Sequence, residues 1–186
     1  MRVWSRFSCL HRPRSLITAL WVFVAAPATA AEAPRLQPGA IEIGLGGSLT
    51  SVEGNTRSSI GILGSTFLGL GPGLVGVGAD LTYTHVSSLD VLDLEGHVGW
   101  QWPVSSTSLY PILGVGGGIR QEWVGSFRTT RYPVGIDLGL RALVSSGAAV
   151  RVEYRLRRVL GDPVSDFTEH RALFGVSLLL ENTPEP

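Results

Sequence analysis

The sequence predicts an all-β protein, an eight-stranded antiparallel up-and-down transmembrane β-barrel with a polar, salt-bridged lumen. Three observations support this fold class: an apolar/polar alternation with period two, an N-terminal export signal, and no later apolar run as long as the about 18 residues of a membrane helix. The alternation is clearest between Val75 and Gln101. There, apolar side chains take one face of the strand and charged side chains or glycine take the other.

Residues 1–30 have the features of a secretory signal peptide. Four arginines precede an apolar stretch from Leu16 to Ala26, and Ala28-Thr29-Ala30 forms a small-residue cleavage site. The only cysteine, Cys9, lies in this segment, so the chain after cleavage has no thiol. The remainder keeps eleven arginines against fifteen acidic residues, a net charge of −4. We therefore expect an exported protein that does not bind nucleic acid.

The rest of the chain divides into residues 31–39, a periplasmic leader; residues 40–180, the outer-membrane barrel domain; and residues 181–186, a short polar C-terminal tail. Eight segments of the barrel domain carry the alternation: 41–49, 59–70, 75–85, 92–102, 109–123, 134–142, 150–157 and 169–180. Each segment is predicted to be one strand.

Three of these segments are weaker than the others: 59–70, 109–123 and 169–180. Leu63 and Phe67 interrupt the first of the three. Tyr110 and Ile112 blur the start of the second. They are still counted as strands, because the remaining residues keep the two-residue period.

The connections between the predicted strands fall into two classes that alternate along the chain. Three are tight or rich in small residues, at 71–73, 103–108 and 145–147; four are longer and more polar, at 51–58, 86–90, 124–131 and 159–168. An outer-membrane barrel has short periplasmic turns and longer extracellular loops. We therefore expect a periplasmic N-terminus and four extracellular loops, of which 124–131 and 159–168 are the most prominent.

Aromatic residues cluster at the ends of the predicted strands, on the apolar phase. Tyr83, Trp123 and Tyr132 lie near the outer ends, and Trp100 and Trp102 lie at an inner end. Membrane barrels carry such a girdle at each interface. The two groups are expected to mark the limits of the apolar band.

The polar phase is expected to face the lumen and to form a salt-bridge network. An arginine facing lipid near the midplane would cost roughly 2 to 4 kcal/mol, whereas inside a narrow barrel it can pair with a carboxylate. The network is predicted to consist of Glu42, Asp80, Asp93, Glu95, Arg120, Glu122, Asp137, Arg141, Arg151, Glu153, Arg155, Arg157, Glu169 and Arg171. Because side chains fill an eight-stranded barrel, we expect no open pore. His97 is expected to join the salt bridges, and no metal or cofactor is expected.

The chain resembles the small eight-stranded outer-membrane proteins of Gram-negative bacteria, the OmpA/OmpX-type family. Residues Tyr110 to Gly118 resemble that family's fifth strand, and Val152-Glu153-Tyr154-Arg155 its penultimate strand. Family members often end on an aromatic residue, whereas Gly175 to Leu180 is followed here by a polar tail, and no peptidoglycan-binding domain follows. The resemblance implies a monomer in the outer membrane, in contact with its lipids and lipopolysaccharide and inserted by the barrel-assembly machinery. It also implies a role in envelope integrity or adhesion.

One further set of residues is a candidate binding site. Arg57, Arg128, Arg131 and Arg158 fall at the outer end, where guanidinium groups could bind lipopolysaccharide phosphates or remain solvated loop charges. The leading interpretation is a non-enzymatic barrel that acts through its extracellular loops.

Two alternative functions stay open from the residues alone. The first is a lipid A-modifying enzyme, a deacylase-like hydrolase, in which His85, Ser87 and Asp90 would supply a base-activated hydroxyl. The second is a soluble periplasmic barrel with the sheet rolled the other way, so that apolar residues line a ligand cavity and charged residues face water.

Overall fold

The computed structural model shows a closed antiparallel barrel and describes residues 34–104, 107–161 and 166–180. Its strands are β1 (Ile41–Val52), β2 (Asn55–Leu70), β3 (Gly73–Val86), β4 (Leu89–Gln101), β5 (Leu109–Val124), β6 (Phe127–Ser145), β7 (Ala148–Leu160) and β8 (Phe167–Leu180). Each strand pairs with the next, and β8 pairs with β1. The predicted all-β, eight-stranded up-and-down barrel is confirmed. The predicted signal segment and C-terminal tail lie outside the described residues.

The register of the eight pairs sets the shape of the barrel. A row of paired residues that starts at Arg158 in β7 passes through all the other strands and returns to β7 at Ala148, a shift of ten residues. With about 3.3 Å per residue and about 4.8 Å between strands, this stagger corresponds to a strand tilt of about 40°. Among the described residues, no helix is long and apolar enough to cross a membrane.

Apolar side chains cover the outside of the barrel, and charged side chains fill the inside. Ile60 is 72% exposed and Leu45 is 64% exposed, whereas Glu42, Arg155 and Glu169 are fully buried. A water-soluble barrel would have the opposite arrangement, so the alternative with an apolar lumen is wrong. The polar, salt-bridged lumen is confirmed.

The predicted difference in connection length is wrong for three of the four polar connections, and the fourth, at 159–168, lies partly outside the described residues. The segments expected as loops at 51–58, 86–90 and 124–131 are mostly strand, and each closes in a turn of two residues. In the first of these turns Glu53 and Gly54 both have positive φ, as a type I′ hairpin requires. The polar residues there belong to the ends of the strands, which made them resemble loops.

The end of the barrel where β1 begins and β8 ends, called the terminal end, is closed by an apolar plug. The predicted leader contributes to it: Leu36 is buried, and its backbone N–H donates to Tyr110 Oη at 2.8 Å. Gly39 N donates to Phe67 O at 2.6 Å. The plug consists of Leu36, Ala40, Phe67, Leu74, Tyr110, Leu143, Ala149 and Leu179.

Buried apolar residues explain the apparent breaks in the alternation, and two of them, Phe67 and Tyr110, belong to the plug. Leu63, Phe67, Tyr110 and Ile112 all occupy inward positions and are buried. Their side chains follow the two-residue alternation of their strands and point inward. They differ from the other inward residues only in being apolar and not charged. The sequence pattern weakened there because these inward positions hold apolar side chains.

At the opposite end, called the hairpin end, the β5–β6 hairpin is longer than its neighbour β7. β6 pairs with β5 from Phe127 onward but with β7 only from Tyr132 onward. Residues 127–131 therefore extend past the last residue of β7 by roughly 16 Å of strand, at about 3.3 Å per residue.

Candidate functional site

The inward charges of the strands balance in number. The structure adds Arg57 and Arg131 to the predicted set, because Arg57 lines the mouth of the lumen and Arg131 pairs with Glu122. Along the described strands, eight acidic and eight arginine side chains now take inward positions: Glu42, Asp80, Asp93, Glu95, Glu122, Asp137, Glu153, Glu169, Arg57, Arg120, Arg131, Arg141, Arg151, Arg155, Arg157 and Arg171. With neutral histidine, the lumen has no net charge.

The layer next to the apolar plug is centred on Glu42. Arg141 Nη2 lies 2.7 Å from Glu42 Oε2, and Ser177 Oγ donates to Glu42 Oε1 at 2.7 Å. Arg141 also donates to the Gln101 side chain and stacks over Phe67, with Cζ 4.7 Å from the ring centroid. This cation–π contact joins the ionic lumen to the apolar plug.

The middle of the lumen is organised around Arg155. Its guanidinium forms ion pairs with four carboxylates, those of Asp80, Glu95, Asp137 and Glu153. These acids come from four different strands, β3, β4, β6 and β7. Arg155 therefore links the walls of the barrel through its centre.

Two arginines beside Arg155 extend the middle layer. Arg151 Nε lies 3.0 Å from Glu153 Oε1, and Arg157 Nη1 lies 2.6 Å from Asp137 Oδ1. His97 Nδ1 lies 3.7 Å from Asp80 Oδ2, which is beyond hydrogen-bond distance, so the ring lies beside the ion pairs. Among the described residues, no group of three or more potential ligands could hold a metal ion.

The outermost buried layer contains a planar arginine clamp. Arg120 forms paired hydrogen bonds to Asp93, at 2.6 and 3.1 Å, and to Glu169, at 2.7 and 3.0 Å. Arg171 reaches both carboxylates and also Glu95, with Nη1 2.7 Å from Glu95 Oε1. Bidentate arginine–carboxylate pairs are among the strongest hydrogen-bonded contacts in proteins.

At the mouth, contacts are looser. Arg131 Nε lies 3.1 Å from Glu122 Oε2, and both side chains are 15% exposed. Glu122, a predicted member of the network, therefore forms its ion pair at the mouth of the lumen, outside the buried layers. Arg131 also stacks on Phe167, with Cζ 5.4 Å from the ring centroid. Arg57 and Arg131, two of the residues predicted to contact lipopolysaccharide, occupy inward positions at this mouth.

The space left between these side chains is small. The cavities that the structure shows among the inward residues have volumes of about 10 to 20 Å³. Each is large enough for about one water molecule. The lumen around these cavities is therefore a packed interior.

The predicted aromatic girdles lie on the outer surface near the two ends. Tyr83 and Tyr132 are exposed near the hairpin end, and Trp102 is exposed at the terminal end just beyond β4. Trp100 and Trp123 are partly buried. Trp123 lies under Arg128, whose Cζ is 5.8 Å from the ring centroid, so this ring is already covered on one face.

Solved structures of two bacterial proteins resemble this barrel. One is Neisserial surface protein A, with 11% sequence identity, a TM-score of 0.53, and coverage of 75% of this chain and 95% of that one. The other is the N-terminal β-barrel domain of Pseudomonas aeruginosa OprF, with 15% identity, a TM-score of 0.55, and coverage of 77% and 98%. No family model and no curated protein sequence matches the chain. The chain has the fold of the small eight-stranded outer-membrane barrels.

Part of the predicted hydrolase set comes together on the outer surface. Asp90 Oδ1 accepts a hydrogen bond from Tyr83 Oη at 2.6 Å and lies 2.7 Å from His85 Nδ1. Ser87 occupies the β3–β4 turn with a positive φ of 55°. Among the hydrogen bonds of the described residues, none joins Ser87 to His85. The arrangement orients an imidazole, but it does not include an activated hydroxyl.

The outer face of the β5–β6 hairpin carries a polar ladder that sequence reasoning missed. Gln121 Nε2 donates to Thr130 Oγ1 at 2.9 Å, and Arg128 Nε donates to Gln121 Oε1 at 2.7 Å. Arg128 and Arg158, both predicted to contact lipopolysaccharide, face outward. Arg158 is 54% exposed and lies 3.7 Å from Asp166. If the predicted strands had been extended to the turns, the two-residue period would have placed Arg128 and Arg158 on the outward face. It would also have placed Arg57 and Arg131 on the inward face.

Proposed function

We propose that this protein is an integral outer-membrane protein with a structural, non-conducting lumen and a surface role carried by its hairpin end. The apolar outer surface combined with the charge-balanced lumen is the observation that supports this most strongly, because such a barrel is stable only when lipid surrounds it. The likeness in fold to a neisserial surface protein and to the OprF barrel domain supports the same compartment. The barrel is proposed to be a monomer inserted by the barrel-assembly machinery.

Fractionation and gel mobility test the compartment. The protein is expected in the outer-membrane fraction and should migrate differently in unboiled and boiled samples, because a closed barrel resists detergent until it is heated. A protein recovered from the soluble periplasm without a mobility shift would contradict the proposal.

Cysteine labelling tests the orientation. The predicted mature chain has no cysteine, so Ser126→Cys in the β5–β6 turn and Thr107→Cys at the terminal end provide matched single thiols. In intact cells a membrane-impermeant maleimide should label the first and not the second. Labelling of Thr107→Cys alone would show that the barrel has the opposite orientation in the membrane.

The closed lumen predicts that the purified protein forms no stable pore. Arg155, Arg120 and Arg171 cross the lumen to several strands each, and the plug covers the terminal end. Planar-bilayer recordings should show no steady single-channel current. Large, stable currents from heat-modifiable protein would overturn this part of the proposal.

Arg128 and Arg158 are proposed to contact the phosphates of lipopolysaccharide, in support of envelope integrity or adhesion. Both guanidinium groups face outward near the hairpin end, and phosphate is a favourable partner for arginine. The double change Arg128→Gln with Arg158→Gln should reduce co-purified lipopolysaccharide relative to Arg57→Gln, whose side chain points to the lumen mouth. Equal amounts in the two variants would contradict the contact.

A lipid A-modifying hydrolase is the second candidate, because Asp90 lies 2.7 Å from Nδ1 of the exposed His85 near the hairpin end. Under this alternative His85→Ala would abolish a change in lipid A acylation that the wild-type protein causes on overexpression. Mass spectra of lipid A that are the same with wild-type protein, with His85→Ala and with no protein would remove this candidate.

A further inference from the structure

Arg57 lies at the mouth of the lumen without a carboxylate partner among the described residues. Its side chain points inward and is half-buried, and no hydrogen bond, ion pair or ring contact of the described chain involves its guanidinium. Glu122, another acid at this mouth, is paired with Arg131. A guanidinium held in a cleft without a counter-charge attracts anions, because the low-dielectric walls focus its field.

Arg57 lines a small pocket together with side chains of the first three strands. Thr50 lies directly opposite Arg57 in the β1–β2 pair, so their Cβ atoms are about 5 Å apart, and Thr84 of β3 lines the same pocket. Among the hydrogen bonds of the described residues, none uses the hydroxyl of Thr50 or Thr84, whereas the hydroxyl of Ser59 is bonded to Ser48. Two hydroxyl donors therefore accompany the guanidinium.

The arginine clamp forms much of the remaining lining, and its charges cancel internally. Asp93 and Glu169 accept hydrogen bonds from Arg120 with all four of their carboxylate oxygens. These two carboxylates balance Arg120 and Arg171, so Arg57 leaves the pocket with a net charge of +1. One monovalent anion would neutralise it.

The size of the pocket restricts the ligand further. Its volume is about 10 Å³, which is space for about one water-sized particle. A halide ion is only slightly larger than a water molecule, whereas phosphate and sulfate are several times larger. Charge and volume together therefore select a small monovalent anion.

We propose that Arg57, Thr50 and Thr84 bind a halide ion, chloride in ordinary salt solution, at the mouth of the lumen. The guanidinium supplies the positive charge and N–H donors, and the two hydroxyls supply O–H donors. An ion that binds only the folded barrel also stabilises it. This site goes beyond the surface role proposed above and requires only a folded barrel.

NMR of the chloride nucleus tests the site with the purified, folded barrel in an uncharged detergent. Exchange of chloride with a protein site broadens its resonance, so the wild-type protein should give an excess broadening that saturates with chloride concentration. Arg57→Gln should abolish this excess. Arg158→Gln removes the same charge from the outer surface and is the matched control, which should keep the excess. Equal broadening by wild type and Arg57→Gln, or no saturable excess with wild type, would overturn the proposal.

Stability in two salts tests the roles of the hydroxyls. At equal ionic strength, the urea midpoint of the wild-type protein should rise with sodium chloride and not with sodium gluconate, whose anion is too large for the pocket. Thr50→Val and Thr84→Val should each weaken the apparent chloride affinity by about fivefold. Thr168→Val, on the exposed outer face, is the matched control and should not change it. The same chloride response in all three threonine variants would indicate a general salt effect and overturn the site.

The folding of each variant is checked by its heat-dependent gel mobility. Arg57→Gln should fold, because the guanidinium it removes has no partner among the described residues. If it does not fold, the two threonine variants decide the outcome. Failure of the chloride site would leave the fractionation result unchanged, so the two proposals are tested separately.

Discussion

The two faces of this sheet differ in how closely other atoms approach the backbone. On the inward face, a Cβ added at Gly135 would overlap Leu156 O, and one added at Gly118 would overlap Leu94 O. On the outward face, a Cβ at Gly64 or Gly96 would meet no protein atom closer than 3.9 Å. Glycine is therefore a packing requirement at Gly135 and Gly118, whereas Gly64 and Gly96 have open space beside them.

The difference teaches where the stability of the barrel resides. The inward face has to accommodate long arginines and their carboxylates in a fixed volume, so each position there depends on its neighbours. The outward face is solvated by fluid lipid chains, which adapt to each side chain. Substitutions should therefore have large effects inside and small effects outside.

The largest effect is expected from Gly135→Val. The added side chain would collide with the backbone of β7 and separate the two strands, which should destabilise the barrel by about 3 kcal/mol or more or prevent folding. The free energy of unfolding can be measured by urea titration in lipid vesicles. If the valine variant does not fold, Gly135→Ala is measured in its place. Gly64→Val is the outward control; similar losses from both valine variants would remove the distinction between the faces.

Arg155→Met should have the next largest effect. It would leave Asp80, Glu95, Asp137 and Glu153 without their common partner, and removal of one member of a buried ion pair costs roughly 3 to 5 kcal/mol. Arg158→Met on the same strand removes an exposed pair and should cost at most about 1 kcal/mol. The two unfolding free energies, measured by urea titration, should differ accordingly; near-equal values would show that the central network adds no more than a surface pair.

Tyr110→Phe should have a smaller effect at the terminal end. It removes the hydrogen bond to Leu36 N and should cost about 1 kcal/mol, with faster amide exchange at Leu36. Tyr132→Phe, an exposed outer tyrosine, is the control and should leave this exchange unchanged. Unaltered exchange at Leu36 in Tyr110→Phe would mean that the plug does not depend on this bond.

The smallest effect is expected from Gly64→Ala and Gly96→Ala. Both added methyl groups would point into lipid, so each free energy of unfolding should change by no more than about 0.5 kcal/mol. A loss well above 1 kcal/mol measured in vesicles, but absent in detergent, would indicate that the lipid bilayer packs tightly against this row.

The two-residue period predicts most of the fold and the composition of the lumen. Charged residues such as Asp93, Glu95 and Arg155 keep their phase because only the lumen can hold them, so the sequence carries that information locally. The alternation is lost near the ends of the strands, where the outer face meets water and not lipid. Near the turns both faces are polar, so the ends of the strands resemble loops and the inward direction of Arg57 is hidden.

The sequence pattern alone could not predict contacts between residues that are far apart in the chain. The closing of the plug by Leu36 depends on Tyr110, which lies 74 positions away in the sequence. Similarly, the extension of residues 127–131 past the end of β7 results from a difference in length between β6 and β7 that only the register reveals. Periodicity describes each strand alone, whereas these features depend on how strands are aligned.

The ionic lumen also has a consequence for assembly. Glu42 in the first strand is held by Arg141, 99 positions later, and by Ser177 in the last strand, 135 positions later. These contacts can form only when β8 meets β1, so an incompletely closed sheet would leave its carboxylates and guanidinium groups without their partners beside the bilayer. The network thereby penalises every half-inserted state and makes closure of the barrel an all-or-none event.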